Sequence, residues 1–148
     1  MQNSLDKFRV LLICHVSSEI GIGHLSRLLA LAQELRKDNN VIPEFLIFGE
    51  FFKKDELSNF NVHTFSLTDD FVATIKNTLE LNNFDTLIFD LYPKHNIDSL
   101  DKLFIQLKQR NIYLISIDSL IEHCNILDLI WIPSFNFDYG RHVDCNSI

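Results

Sequence analysis

Phe8 to Val16 is apolar at nearly every position, and it runs directly into a glycine loop and a leucine-rich helical pattern. A strand apolar on both alternations must be covered on both faces, which a parallel sheet with helical connections provides. Gly21 and Gly23 close a tight loop after this strand. Leu25, Leu28, Leu29, Ala32 and Leu35 then recur at three- and four-residue steps, so the spacing predicts a helix from His24 to Lys37 with one buried face. His24 and Arg27 are three residues apart in its first turn and share a face. A loop that delivers a histidine to a helix N-terminus beside a strand end has the geometry of a site.

The alternation continues down the chain. Val41 to Phe48 reads as a second strand with an irregular entry at Pro43, and Asn61 to Leu67 as a third. Phe51 to Asn59 is mixed, with room for a short helix. Asp38-Asn39-Asn40 suits a left-handed cap on the first helix, and Thr68-Asp69-Asp70 offers N-cap oxygens to a helix striped by Phe71, Ile75 and Leu79. Asp85 to Leu91 is a fourth, buried strand. Asn96 to Arg110 is an amphipathic helix closed by Asn111, and Ile112 to Asp118 is a fifth strand. Ser119 to Asp128 allows one short helical turn, and Leu129 to Ile132 a sixth strand stopped by Pro133.

This order predicts an α/β fold: a Rossmann-like, doubly wound parallel sheet in three layers, with strand order 3-2-1-4-5-6. Residues 1–133 form that domain, and 134–148 is an irregular tail or the start of an interdomain linker. In such sheets ligands lie beyond the carboxyl ends of the strands, where the strand order changes direction. Ser17 to His24, Asp90 to Pro93 and Asp118 all fall there, so the fold itself brings three polar stretches to one edge.

Composition narrows the partners. The chain has 148 residues, enough for one domain with a real core. Its formal net charge of −7 argues against a nucleic-acid surface, which needs clustered Lys and Arg. The apolar runs are strand length and too short to cross a bilayer, and Met1 to Lys7 carries no signal-peptide pattern. Cys14, Cys124 and Cys145 form no framework, and their odd number suits a reducing compartment. The expectation is a cytosolic protein, with docking on the inner membrane face through a partner left open.

Several chemistries compete for the polar edge. Gly21 and Gly23 fit the first two positions of a dinucleotide fingerprint, but the third is Ser26, and Glu50 falls late for the ribose-binding acid. No Gly-Lys-Ser/Thr follows, so a P-loop is excluded and no cofactor is called for. A helix N-terminus disfavours imidazolium, so a neutral His24 could take a proton from a hydroxyl or from water. Asp90 or Asp118 could orient the ring through its other nitrogen. Equally, His24 could cap its own helix and pack under a loop. Arg27 could hold an anion, pair with a carboxylate from the edge of the fourth or fifth strand, or simply be a surface arginine. Ser17 and Ser18 could donate to a ligand or tighten the turn. His123-Cys124 and His142-x-x-Cys145 are metal-ligand types at a spacing that matches no established zinc pattern. Trp131, with Phe135 and Tyr139, could be a docking patch or a lid on the core.

Gly21-Ile22-Gly23-His24-Leu25-Ser26-Arg27, continuing to Leu35, resembles the Gly-x-Gly-His-x-x-Arg…Leu-Ala-x-x-Leu signature of GT-B glycosyltransferases of the family 28 type. It is also similar to the related nucleotide-sugar hydrolase of pseudaminic acid synthesis. Leu87-Ile88-Phe89-Asp90-Leu91-Tyr92-Pro93 and Ile115-Ser116-Ile117-Asp118 look like the same group. The resemblance implies the N-terminal, acceptor-side half of a two-domain enzyme. His24 would then be the catalytic base or transition-state stabiliser and Asp90 its support. Ser17, Gly21, Gly23, Arg27, Tyr92 and Asp118 would contact substrate. The ligands implied are a nucleotide-sugar donor and a sugar or lipid-linked acceptor. The nucleotide would be held by a C-terminal half, as a domain or a subunit. Hydrolysis through the same His24 and a non-catalytic, truncated binding domain are the alternatives.

Overall fold

The computed structural model describes residues 7–50, 55–92 and 100–133. The elements run β1 (Phe8–Val16), α1 (Gly23–Leu35), β2 (Val41–Gly49), a 3-10 turn (Asp55–Leu57), β3 (Asn61–Phe65), α2 (Phe71–Leu81), β4 (Thr86–Asp90), α3 (Leu100–Gln109), β5 (Tyr113–Ile117), a second 3-10 turn (Ile121–His123) and β6 (Leu129–Trp131). The strands form one sheet in the order β3-β2-β1-β4-β5-β6, and every neighbouring pair is parallel. The protein therefore has the Rossmann-like, doubly wound α/β fold.

Strand alternation divides the core in two. Val10, Leu12, Cys14 and Val16 of β1 join Phe45, Ile47 and Ile88 beneath Leu25, Leu28, Leu29 and Ala32 of α1. Leu11 and Ile13 join Leu46, Phe48, Leu87 and Phe89 beneath α2 and α3. Both alternations of the central strands are thus buried, which is why they read as continuous apolar runs rather than as alternating ones. The helix connecting β1 to β2 lies on one face, and those following β3 and β4 on the other. That change of side at β1 and β4 opens the crevice at the strand ends.

Local chemistry sets most boundaries. Asp70 caps α2, its Oδ1 accepting from the Ala73 N–H at 2.9 Å. Asn111 takes φ +59 and ends α3 in the left-handed conformation. The first helix ends differently from expectation. It stops at Leu35, and the Lys37 and Asp38 amides bond three residues back, to Glu34 and Leu35. Arg36 stays right-handed, so no left-handed asparagine is needed. Pro43 is accepted in β2 because β3 begins pairing only at Glu44, leaving β2 with a neighbour on one side there. Residues 51–54, 93–99 and 134–148 lie outside the description. The start of the Asn96 helix, Pro93, Phe135, Tyr139, His142 and Cys145 lie there too. No helix among the described residues is long and apolar enough to cross a membrane.

A buried carboxylate sits towards the amino end of the sheet. Glu44 faces Arg9, whose Nε donates to Oε1 at 3.0 Å, while the Asn61 side-chain amide donates to Oε2. The Arg9 guanidinium also covers the Phe84 ring at 4.6 Å. Both oxygens are satisfied, so this cluster closes the fold rather than offering a site. Cys124 is disulfide-bonded, whereas Cys14 is a free thiol within the core.

Two predictions follow from the strand ends. Gly49 has φ +114, and a Cβ there would lie 1.7 Å from the Val16 carbonyl oxygen. Gly49→Ala is expected to destabilise the protein by at least about 2 kcal/mol in urea unfolding, against about 1 kcal/mol for Gly21→Ala, where φ is +80 but a Cβ meets open space. Burial, helped by the Asp90 charge, pushes the Cys14 thiol far above its ordinary range. Iodoacetamide should therefore modify Cys14 only on global unfolding, as read by mass spectrometry.

Candidate functional site

The strand alternation that buries Ile88 under α1 turns Asp90, two residues on, toward the same helix. Asp90 is the last residue of β4 and is wholly buried. A buried carboxylate needs partners, and the first turn of α1 supplies them. Arg27 grips it as a fork, Nε to Oδ2 at 2.8 Å and Nη2 to Oδ1 at 2.7 Å. His24 meets it as well, with Nδ1 at 2.6 Å from Oδ1. The three-residue spacing of His24 and Arg27 is what lets both reach one carboxylate.

These contacts fix the histidine's tautomer. Asp90 Oδ1 can only accept, so Nδ1 carries the proton and donates it. The 3.3 Å approach of Arg27 Nη2 to Nδ1 then joins two donors and is not a hydrogen bond. In the neutral ring, Nε2 is left with the lone pair. The ring remains 15% exposed, against 0% for Asp90. Tyr92 stands edge-on to it, with ring centroids 6.4 Å apart.

Asp118 comes from a separate strand end. It follows β5 in the left-handed conformation, φ +55, and Leu120 adopts φ +58. Such backbone is costly for non-glycine residues and persists where the surroundings impose it. Here the Asp118 amide donates to Trp131 O at 2.9 Å. The buried Ser116 hydroxyl donates to Ser119 O at 2.6 Å, and Ser119 Oγ accepts from the Leu91 amide at 3.4 Å. Sequence reasoning passed over Ser116 and Ser119 as ligating groups of the bend, although their three-residue spacing around Asp118 was a usable signal. The result places Asp118 Oδ2 3.4 Å from Arg27 Nη1.

His24, Arg27, Asp90, Tyr92 and Asp118 are thus brought to one edge. Arg27 is engaged by two carboxylates, Asp90 and Asp118. Its hydrogen bonds to Asp90, then the charges of Asp90 and Asp118, hold the guanidinium above its ordinary value against the opposing effect of burial. A raised folded value means a stability contribution fully present below the unfolded value and lost as pH rises through the folded one, both far above neutrality, so the guanidinium keeps its charge across the physiological range.

Ser17 serves the turn. Its Oγ accepts from the amides of Glu19 at 3.2 Å and Ile20 at 3.1 Å, and its carbonyl accepts from the Gly21 amide at 2.8 Å. Gly21 needs its left-handed φ, but Gly23 does not, and a Cβ on either would meet nothing within 4 Å. The helix begins at Gly23 with Ile22 as N-cap and no side-chain cap. Of the metal candidates, His123 is engaged otherwise: its Nδ1 pairs with Asp101 at 2.7 Å, and its ring stacks edge-on against Phe104. Among the described residues no three His, Cys, Asp or Glu side chains are grouped as metal ligands would be. Trp131 is 52% exposed on the outer strand and does not cover the core.

No family model matches the chain, and no curated protein sequence does. Among solved structures it is similar to homoserine dehydrogenase of S. aureus in crystals at pH 6.0 and 6.5, each with 13% identity and a TM-score of 0.48. The pH 7.0 crystal gives 13% identity and 0.46. The match covers 86% of this chain and 32 to 33% of those chains, so the chain spans about a third of their length. A likeness at this level says nothing about what the chain binds.

Removing Arg27 should expose how much Asp90 depends on it. Arg27→Ala leaves a buried carboxylate with His24 alone and is expected to cost about 3 kcal/mol in denaturant unfolding at neutral pH. Long-range 15N–1H NMR should show His24 protonated at Nδ1 in the native protein, and Asp90→Asn should change that pattern.

Proposed function

We propose that this chain is the acceptor-side half of a GT-B glycosyltransferase, with His24 as the general base. The observation that supports the reading is the His24–Asp90 contact at the crevice, with Nδ1 held by a buried carboxylate and Nε2 left to act. In the reaction, an acceptor hydroxyl gives its proton to His24 Nε2 as its oxygen attacks the anomeric carbon of a nucleotide-sugar donor. The bond from that carbon to the donor phosphate breaks, and the nucleotide leaves with the electron pair. Asp90 keeps the ring in the tautomer that can accept and balances the imidazolium that forms. Arg27 acts through Asp90, and Asp118 through Arg27, as positioning residues.

The nucleotide would be held by a second Rossmann-like domain, from the same polypeptide or from a partner subunit. The donor's charged end would approach the uncapped start of α1, where amide groups favour anions. Gly23 supports this part of the reading. Its backbone is ordinary and, among the described residues, nothing beyond its own helix lies within 4 Å of a Cβ there, so packing and conformation among them give no reason for glycine. Close approach of a ligand does. The reaction belongs on the cytoplasmic side of a membrane, serving cell-surface glycan synthesis.

The test combines the chain with a candidate nucleotide-binding half and follows transfer from labelled nucleotide sugars. His24→Ala is expected to lower transfer by about a hundred- to ten-thousandfold without loss of fold. Full activity in that variant would remove the role, and release of free sugar without acceptor would make water the nucleophile. Gly23→Ala separates function from folding: stability should rise by about 0.4–1 kcal/mol while transfer falls.

A further inference from the structure

A separate hollow lies at the strand ends of the other half of the sheet. Beyond the carboxyl ends of β1, β2 and β3 lies a space of about 640 Å³, within the usual range of small-molecule sites. Ser18 reaches it from the end of β1, Glu50 from the end of β2, and Thr64, Ser66, Leu67 and Asp69 from β3 and the turn that follows. The Ser17–Gly21 turn that borders it leads directly to His24.

The lining has a definite chemistry. The hydroxyls of Ser18, Thr64 and Ser66 can donate and accept, and the carboxylates of Glu50 and Asp69 can only accept. Leu67 adds an apolar surface and packs over Gly49, 3.2 Å from where a Cβ would stand. The turn is already ordered: Asp69 Oδ2 accepts from the Ser66 amide at 2.7 Å, and the Ser66 and Thr68 hydroxyls lie 2.8 Å apart. Hydroxyl groups around a ring match such acceptors, and the ring's C–H face matches Leu67. A phosphate brought here would meet two negative charges.

We infer that this crevice binds an uncharged polyhydroxylated ring and discriminates against its phosphorylated counterpart. The ring is the terminal sugar of the acceptor, an identification that rests on the proposed transferase reading, whereas the binding preference does not. The proposal divides the labour of the strand ends. The α1 side handles the reacting hydroxyl and the donor, and the β2–β3 side selects a neutral acceptor.

The experiment is an NMR titration of the 15N-labelled chain with methyl glycosides and short neutral oligosaccharides, alongside the matching sugar phosphates and inorganic phosphate. Amides of Glu50, Ser66 and Leu67 should shift with a neutral saccharide, and the phosphorylated form should bind at least about tenfold more weakly. Glu50→Lys should abolish that preference, and Leu67→Trp should block binding while the rest of the spectrum stays native. Phosphate or a sugar phosphate binding equally well at these amides would overturn the proposal. So would the lack of any saccharide-dependent shift there up to about 50 mM. His24→Ala should bind normally, so binding that survives in a chain whose transfer never depended on His24 would sink the catalytic reading and leave this one standing.

Discussion

A carboxylate taken fully out of water must be matched, and Asp90 is matched by a single turn of helix. The Arg27 fork compensates its charge and the His24 N–H fills a further acceptor position, so α1 cannot slide or rotate on the sheet without exposing a buried anion. This pairing ties the first crossover to β4 across the point where the strand order reverses. The apolar packing of α1 would hold the helix down in any of several rotations, because one leucine resembles another. The ion pair specifies one of them.

The two buried carboxylates of the sheet show how position decides role. Glu44 is enclosed by Arg9 and Asn61 at the amino end, where chain closure seals it. Asp90 is as deeply buried, yet one of its partners is a ring that keeps 15% of its surface exposed. The carboxyl ends of parallel strands splay into loops and helix starts, so a buried group there can pass its influence outward through the residue it holds. The same end gathers the strained backbone: Asp118 and Leu120 are left-handed, and the Ser116–Ser119 bonds keep them so. Strain of this kind needs surroundings that impose it, and here it aims Asp118 at Arg27.

Gly49 belongs to this architecture although it has no side chain. Its backbone passes so near the Val16 carbonyl that any side chain would collide. The ends of β1 and β2 can therefore close together, and Leu67 packs above them. Gly49 itself lines the crevice beyond β1 to β3.

The element order, the parallel sheet and the edge on which His24, Asp90 and Asp118 would meet were all legible from the chain itself. They depend on local period: apolar runs of strand length, leucines at helical steps and punctuation by Gly, Asn and Pro. Asp70 as a cap and Asn111 as a terminator were readable for the same reason, since a cap bonds within its own turn. The Arg27 partner was readable only as some carboxylate of the β4 or β5 edge and not as a particular bond, because the bonds to Asp90 and Asp118 join residues 63 and 91 positions apart. Nor was the need for Gly49, which arises from a carbonyl on another strand. Periodicity fixes which face of an element is buried; only the packed register of α1 on β4 decides which charges meet there.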